Sequence, residues 1–330
     1  MSRILYVHVG PTKTGTTAIQ NLLSKHDNSV IIYPKVGLWG PGSHHGLVYS
    51  LFNRTPRRKQ VASDPRQLLD QIAEYTRYNN LNMLISSEEL ARSVGRRKKP
   101  QGDVTALIHT LLASIGSEDW EVEILFVCRE HFERAASAYS QALKGNYETR
   151  GPDEFLLESI ESLQYAAIAD NLRESGFKVT ALNYHPSRTS TMRLLAHIGF
   201  SPDQIPDSEW KNVSLSTKAL IAKLAANRTM EPEDARQKFS VLLKKMPGYR
   251  APAQFIFSPR AAARAETCFA ADREFLRREF GIDLPELDPA NRKSMFFLEP
   301  DDMADIAAIG EEFGAAAEPV VRVASDYLRK

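Results

Sequence analysis

Long apolar runs are missing from this chain of 330 residues: no stretch approaches the roughly 18 apolar residues that cross a bilayer. Met1 to Gly10 offers only a short β-like run where a secretory leader needs a longer apolar core. Cysteine is scarce as well. Cys128 and Cys268 are too few and too far apart for a disulfide framework, and neither sits in a Cys-x-x-Cys pair, so a reducing, cytoplasmic setting is expected. An excess of either charge is also lacking. The 42 basic and 41 acidic residues leave a net charge of +1, so no bulk field draws the protein to nucleic acid or an anionic membrane, and any anion must be held by a local site. Finally, the histidines show no His-Glu-x-x-His and no Cys/His cluster, so no metal is expected, and no repeat or low-complexity tract appears.

What the chain does contain is enough apolar residue, 43%, to bury a core of ordinary size. Five short apolar runs read as strands: Arg3 to Val9, Val30 to Tyr33, Leu81 to Ser86, Val122 to Cys128 and Lys178 to Asn183. Helical spacing separates most of them, over Thr17 to Lys25, Pro65 to Tyr78, Val104 to Ser114, Phe132 to Leu143 and Leu163 to Ser175. Apolar strands alternating with helices predict a three-layer α/β/α domain around a central parallel sheet. From about Ser214 the strand signal stops and helices are expected over Ser216 to Asn227, Glu231 to Lys244, Pro259 to Phe280 and Asp302 to Leu328, with a loop at Met246 to Pro252. The expected organisation is one domain over 1–330, with an α/β core over 1–212 and a helical C-terminal extension over 213–330.

The segment Gly10-Pro-Thr-Lys-Thr-Gly-Thr-Thr17 lies between the first strand and the first helix. Small residues let backbone N–H groups approach a phosphate, the helix N-terminus favours negative charge, Lys13 adds a cation and the threonines add hydroxyl donors. A nucleoside-triphosphatase loop would place lysine directly after the second glycine, where this chain has Thr16. The strand near Leu81 runs into Ser86-Ser-Glu-Glu89 and that near Val122 into Cys128-Arg-Glu130, without an Asp placed for Mg²⁺. A metal-dependent P-loop kinase is thereby disfavoured.

Lys13-Thr-Gly-Thr-Thr17 resembles the 5′-phosphosulfate loop of sulfotransferases that use 3′-phosphoadenosine-5′-phosphosulfate (PAPS). The second anion motif of that family, an Arg at a strand end and a Ser eight residues on, is matched by Arg129 and Ser137, with Tyr139 following; Glu130-His131 stands where the family often has Asn-Pro. The resemblance implies a P-loop NTPase-like sulfotransferase fold, like that of bacterial members. It implies a donor site made by Thr12, Lys13, Thr14, Gly15, Thr16, Thr17, Arg129 and Ser137, with Lys13 neutralising the leaving phosphate. The expected reaction is sulfonate transfer from PAPS to a hydroxyl or amine of a small-molecule or glycan acceptor, foremost a carbohydrate or glycoconjugate.

Such a displacement needs a base near the acceptor. Glu88 in Ser86-Ser-Glu-Glu-Leu90 is the first candidate, because a carboxylate facing a partly desolvated pocket gains proton affinity and because related glycan-directed and bacterial sulfotransferases often use a glutamate there. Glu89 and the pair His44-His45, with His45 as the one put forward for test, are the others. As plain structure, Glu88 and Glu89 are helix-N-terminal acids and the histidines belong to a Gly/Pro-rich loop. The basic runs Arg54 to Lys59 and Arg96 to Lys99 are candidates for an acidic acceptor's entrance or simply solvated faces, and Asn212 to Ser216 and Tyr165 also resemble family positions. A catalytically idle nucleotide-binding module is the remaining alternative.

Overall fold

The computed structural model describes residues 2–11, 13–25, 30–40, 42–52, 63–94, 102–145, 147–184, 189–200, 214–251, 254–286, 294–314 and 317–328. The side chains of 92–94, 102, 103 and 189–192 are not among those described. Along the chain run β1 (Arg3–His8), α1 (Thr16–Lys25), β2 (Ile31–Ile32), α2 (His45–Leu51), α3 (Pro65–Arg77), β3 (Asn82–Ser86), α4 (Glu88–Val94), α5 (Gly102–Ile115) and β4 (Trp120–Cys128). Then follow α6 (His131–Gly145), α7 (Pro152–Leu163), α8 (Ala166–Arg173), β5 (Lys178–Asn183), α9 (Thr189–His197), β6 (Ser214–Leu215) and α10 (Thr217–Thr229). The chain closes with α11 (Phe239–Leu243), β7 (Arg250–Ala251), α12 (Pro259–Phe280), α13 (Pro300–Phe313) and α14 (Glu318–Ser325). These residues group into two compact units, one of 1–129, 164–210 and 272–284, the other of 130–163, 211–271 and 285–330.

The first unit holds a five-stranded sheet in the order β2-β3-β1-β4-β5, parallel throughout. Side chains alternate across it as period two demands. Leu5, Val7, Ile85, Ile124 and Phe126 meet Ile72 of α3, Leu107 and Leu111 of α5 and Leu172 of α8 on one face. Tyr6, Leu84, Leu125 and Val127 meet Ile19, Leu22 and Leu23 of α1, Leu194 and Leu195 of α9 and Ile198 just after it on the other. The mixed α/β architecture expected from the sequence is therefore present as three layers. β1 sits between β3 and β4, and the chain winds first to one side of it and then to the other, so the strand order reverses there. Ligands of open parallel sheets bind at the carboxyl ends of strands at such a point.

Local chemistry accounts for individual boundaries. Asp64 caps α3 by accepting the Arg66 N–H at 2.9 Å, with Pro65 opening the helix. The edge strand β2 is shorter than the apolar run Val30 to Tyr33, and β5, at the other edge, carries Lys178 3.2 Å from the buried Glu123 carboxylate on β4. Burial raises the proton affinity of Glu123, but the hydrogen bonds from Thr180 and Lys178 and the neighbouring His197 outweigh it and leave its pKa below the usual value.

In the second unit helices dominate, and its C-terminal part departs from the expected all-helical pattern in two places. β6 and β7 form a short antiparallel pair within the region expected to be free of strands. The helix expected over Asp302 to Leu328 is broken at Gly314, whose φ of 88° ends α13 in a conformation that favours glycine. Ser216 caps α10 through its hydroxyl, the capping role its hydroxyl invites. Between α10 and α11, Asp234–Lys238 forms a turn of π-helix, where the buried Lys223 ammonium and the Ser240 hydroxyl both donate to the Ala235 carbonyl. Burial lowers the Lys223 pKa to about 8.

Candidate functional site

β1 ends at His8 and α1 begins at Thr16, leaving a loop at the carboxyl end of the central strand. Two loop residues have left-handed backbone, Gly15 at φ 83° and Lys13 at φ 75°. For glycine that is free; for lysine it costs about 1–2 kcal/mol and is retained where the surroundings over-determine it. Thr14 is buried and its hydroxyl donates to the Pro11 carbonyl at 2.8 Å, which tightens the turn. Lys13 and Gly15 are half-buried and Thr17 is exposed. Thr16 is buried, and its Oγ1 has no hydrogen-bond partner among the described residues. Leaving such a group unpaired costs about 1–3 kcal/mol. Thr12 lies outside the described residues.

The neighbouring strand end is joined by hydrogen bonds to the strand and the helix that flank this loop. His8 is fully buried, and its Nδ1 lies 3.0 Å from Ser86 Oγ, which also accepts Gln20 Nε2–H at 3.1 Å. The Ser87 N–H donates to the His8 carbonyl at 3.1 Å. His44 completes the end of β3: its N–H donates to the Ser86 carbonyl, and its Nδ1 accepts the Ser86 N–H at 3.1 Å. That acceptor role puts the ring proton on Nε2, which donates to the Pro34 carbonyl at 2.9 Å. With both nitrogens committed and its pKa lowered to about 4 by burial, His44 is a structural residue and not a base. His45 is half-buried at the start of α2, with Nδ1 2.8 Å from Ser87 Oγ. The expected loop at this point is thus a helix start, drawn in by the buried Leu47 and Val48. Glu88 and Glu89, both half-buried, form the first turn of α4.

Across β1, Arg129 follows the end of β4. Its guanidinium donates to the Lys13 carbonyl at 3.1 Å and stands over the Tyr184 ring at 4.8 Å. Its backbone is held by Tyr165, whose hydroxyl accepts the Arg129 N–H and donates to the Arg129 carbonyl, both at 2.8 Å. Tyr165 is itself fixed, because the buried Asp272 carboxylate accepts the N–H groups of Tyr165 and Ala166 at 2.8 and 2.7 Å.

The structure therefore brings Lys13, Thr14, Gly15, Thr16, Thr17 and Arg129 to one end of the sheet, with Glu88 and His45 at the end of the adjoining strand. Ser137 lies half-buried on α6 in the second unit. In that unit, Glu130 accepts the N–H groups of Phe132 and Glu133 at 3.0 and 2.8 Å, so the departure from Asn-Pro supplies a cap to α6. His131 stacks on Phe269 at 4.5 Å. The basic runs at 54–59 and 96–99 and residues 212 and 213 lie outside the described residues. Sequence reasoning missed His8, Gln20 and Ser86, although a histidine within an apolar strand and a glutamine on the apolar side of α1 were visible signals. Among the described residues, no group of three or more His, Cys, Asp or Glu side chains is placed to hold a metal, and no helix is long and apolar enough to cross a membrane.

No family model matches the chain, and neither does any curated protein. Among solved structures it is similar to the mouse sulfotransferase SULT7A1, complexed with PAP, at 12% identity over 98% of this chain and 89% of that one, with a TM-score of 0.31. A second likeness is to tRNA delta(2)-isopentenylpyrophosphate transferase from Staphylococcus epidermidis, at 12% identity over 94% and 99% of the two chains, with a TM-score of 0.18. Scores of this size are too low to carry a function, so the functional reading rests on the residues themselves.

Proposed function

We propose that the protein is a sulfotransferase that moves the sulfonate group of PAPS to an acceptor hydroxyl or amine, foremost that of a carbohydrate or glycoconjugate. The observation that carries this reading is the hydrogen bond from Arg129 to the backbone of Lys13, which ties the two anion motifs of the sequence together where the strand order reverses. In this reading Lys13, Thr14, Gly15, Thr16 and Thr17, with Thr12, receive the 5′-phosphosulfate through N–H groups, hydroxyls and a cation. Arg129 takes the 3′-phosphate, for which its planar fork is suited, and Ser137 is assigned to the same phosphate on its motif alone.

The chemistry is an in-line displacement. A base removes the acceptor proton as the acceptor oxygen or nitrogen bonds to sulfur, the bond from sulfur to the bridging phosphate oxygen breaks, and adenosine 3′,5′-bisphosphate leaves with the electron pair. Lys13 offsets the charge that builds on the leaving phosphate, and the step calls on no metal. Glu88 is the assigned base; Glu89 and His45 stand at the same strand end, and His44 is excluded by its two committed nitrogens.

The deciding experiment is a calorimetric titration of adenosine 3′,5′-bisphosphate into the metal-free protein and its Arg129→Ala variant. Micromolar binding that the variant loses supports the donor site. No binding to the wild type, with tight binding of Mg·ATP, returns the chain to the kinase reading. Binding without turnover over a wide acceptor panel makes it an idle nucleotide-binding module. Glu88→Gln, Glu89→Gln and His45→Ala, assayed with radiolabelled PAPS, then separate the three bases.

A further inference from the structure

A cavity of about 620 Å³ opens at the amino end of the first unit's sheet, the end opposite Lys13 and Arg129. Arg3 at the start of β1, Arg77 at the end of α3, Asn80 just beyond it and Ser114 in the last turn of α5 line it, and none of its described lining residues is Asp or Glu. A second hollow of about 480 Å³ shares Tyr78 and Asn79 with the first and adds Tyr75, Lys35 and Glu74. Both are of the size that holds small ligands. The base of the groove is tied down. Arg3 donates to the Thr76 and Asn79 carbonyls at 3.1 and 3.4 Å and lies over the Trp120 ring at 4.2 Å, and the Asn79 amide donates to the Tyr75 carbonyl at 3.0 Å. The walls are not: Arg77, Tyr78 and Asn80 are exposed, and their side chains make no hydrogen bond, ion pair or ring contact among the described residues. Tyr78 is 77% exposed and Tyr75, three residues before it, 36%.

We propose that this double hollow binds an acidic oligosaccharide, with a sugar carboxylate on Arg77 in the larger part and a neutral sugar unit against Tyr75 and Tyr78 in the smaller. A sugar ring has an apolar face of C–H bonds and a rim of hydroxyls that both donate and accept. Tyrosine rings offer a broad apolar surface for the face, with a polar tip at the rim. The Asn80 amide and the Glu74 carboxylate supply donors and acceptors for neighbouring hydroxyls, and the Arg77 fork pairs with two carboxylate oxygens at once. A single nucleic-acid strand also stacks on tyrosine, but charge speaks against it. Its phosphates recur at every unit, whereas the smaller hollow is lined by Glu74 as well as Lys35 and offers no net cation. A chain that alternates acidic and neutral units matches both parts. Because the groove stands at the other end of the sheet from the donor loop, its binding is independent of what that loop holds.

Calorimetric titration of the full chain with hyaluronan and unsulfated chondroitin hexasaccharides, whose glucuronate and neutral amino-sugar units alternate, tests the proposal. Chitohexaose is the uncharged control and a thymidine hexanucleotide the nucleic-acid control. At least one acidic hexasaccharide is expected to bind at roughly 0.1 mM or tighter, and chitohexaose about tenfold more weakly. Arg77→Gln is expected to cost about tenfold with the acidic probe and to erase the preference over chitohexaose. Tyr78→Ala is expected to weaken both sugars about tenfold, while Tyr78→Phe, which keeps the ring, stays within about threefold of wild type. Both positions are exposed, so melting temperatures are expected to match the wild type and show that the variants are folded. Failure of both acidic probes to bind at millimolar concentration, equal affinity for chitohexaose, or wild-type affinity in either Arg77→Gln or Tyr78→Ala overturns the proposal. Tighter binding of the hexanucleotide does so as well, and gives the groove to a single strand. A wild type that binds the acidic probe but not adenosine 3′,5′-bisphosphate defeats the donor-site reading alone and leaves the groove as proposed.

Discussion

The Tyr165 hydroxyl closes two hydrogen bonds on the backbone of a single residue, Arg129, one to its N–H and one to its carbonyl, each 2.8 Å long. Tyr165 is fully buried, so both groups depend on it. Tyr165→Phe is expected to lower stability by about 1–3 kcal/mol, the cost of leaving buried backbone groups unpaired. It is also expected to weaken bisphosphate binding about tenfold by loosening the guanidinium's anchor. Thermal melts and calorimetry check the two effects separately, and a variant that melts early but binds normally would show that Tyr165 serves the fold alone.

Arg129→Lys keeps the charge and discards the fork, the donation to the Lys13 carbonyl and the ring contact with Tyr184. Bisphosphate affinity is expected to drop about 10- to 100-fold, with little change in melting temperature. Retention of full affinity in the lysine variant would mean that Arg129 contributes only as a point charge.

Asp272 holds the start of α8 from a distant part of the sequence. Asp272→Ala is expected to cost roughly 1–2 kcal/mol in urea unfolding, and Asp272→Asn less, since its amide retains one acceptor oxygen. Equal losses in the two variants would indicate that the charge, and not the cap, is what matters.

Burial holds the pKa of His8 and of His44 near 4 in the folded protein, against an ordinary value of 6.5. In the unfolded chain both take up protons as the pH drops below that ordinary value, while the folded protein resists until near 4. Stability is therefore present above the ordinary value and is lost as pH falls through the interval, by on the order of 3 kcal/mol for each histidine. Denaturant midpoints measured from neutral to acid pH should decline in that interval, and His8→Asn should flatten the decline. A midpoint that stays level until carboxylates titrate would contradict the assignment.

Lys223 illustrates the opposite economy. Its ammonium is buried against the Ala235 carbonyl, with its pKa depressed to about 8 by desolvation, and Ser240 already donates to that carbonyl. Lys223→Met fills similar volume without a charge to desolvate and is expected to raise the melting temperature by a few degrees at neutral pH. A fall instead would assign the π-helical turn to the ammonium.

How far the sequence could be read depended on where each element gets its stability. β5 and α12 match the expected Lys178 to Asn183 and Pro259 to Phe280 to the residue, and β1, β3 and β4 differ by one or two. Buried parallel strands are near-continuous apolar runs, and a long amphipathic helix repeats its signal over several turns. By contrast α2, α4 and α9, of seven to nine residues, carry too few periods to read, and they form because tertiary contacts hold them. The helix expected from Leu163 starts at Ala166, after Tyr165 turns toward Arg129 and Asp272, and α7 ahead of it went unread. In the candidate site, the loop and Arg129 were legible because a phosphate cradle compresses its chemistry into a few adjacent residues. The network from Gln20 through Ser86 to His8 was not, because its members are separated by 66 and 78 residues and only the sheet register makes them neighbours.

The two edges of the sheet bear on how the protein behaves when concentrated. An open strand edge is a template on which another chain can add itself, the first step toward fibrous aggregates. β2 offers an incoming strand only two residues of ladder, and β5 meets it with Lys178, which pairs with the Glu123 carboxylate. One edge is blunted by brevity and the other by charge, so the protein is expected to remain free of edge-to-edge assembly at high concentration, and Lys178→Val, which leaves β5 long, apolar and uncharged at its start, is the change most apt to end that protection.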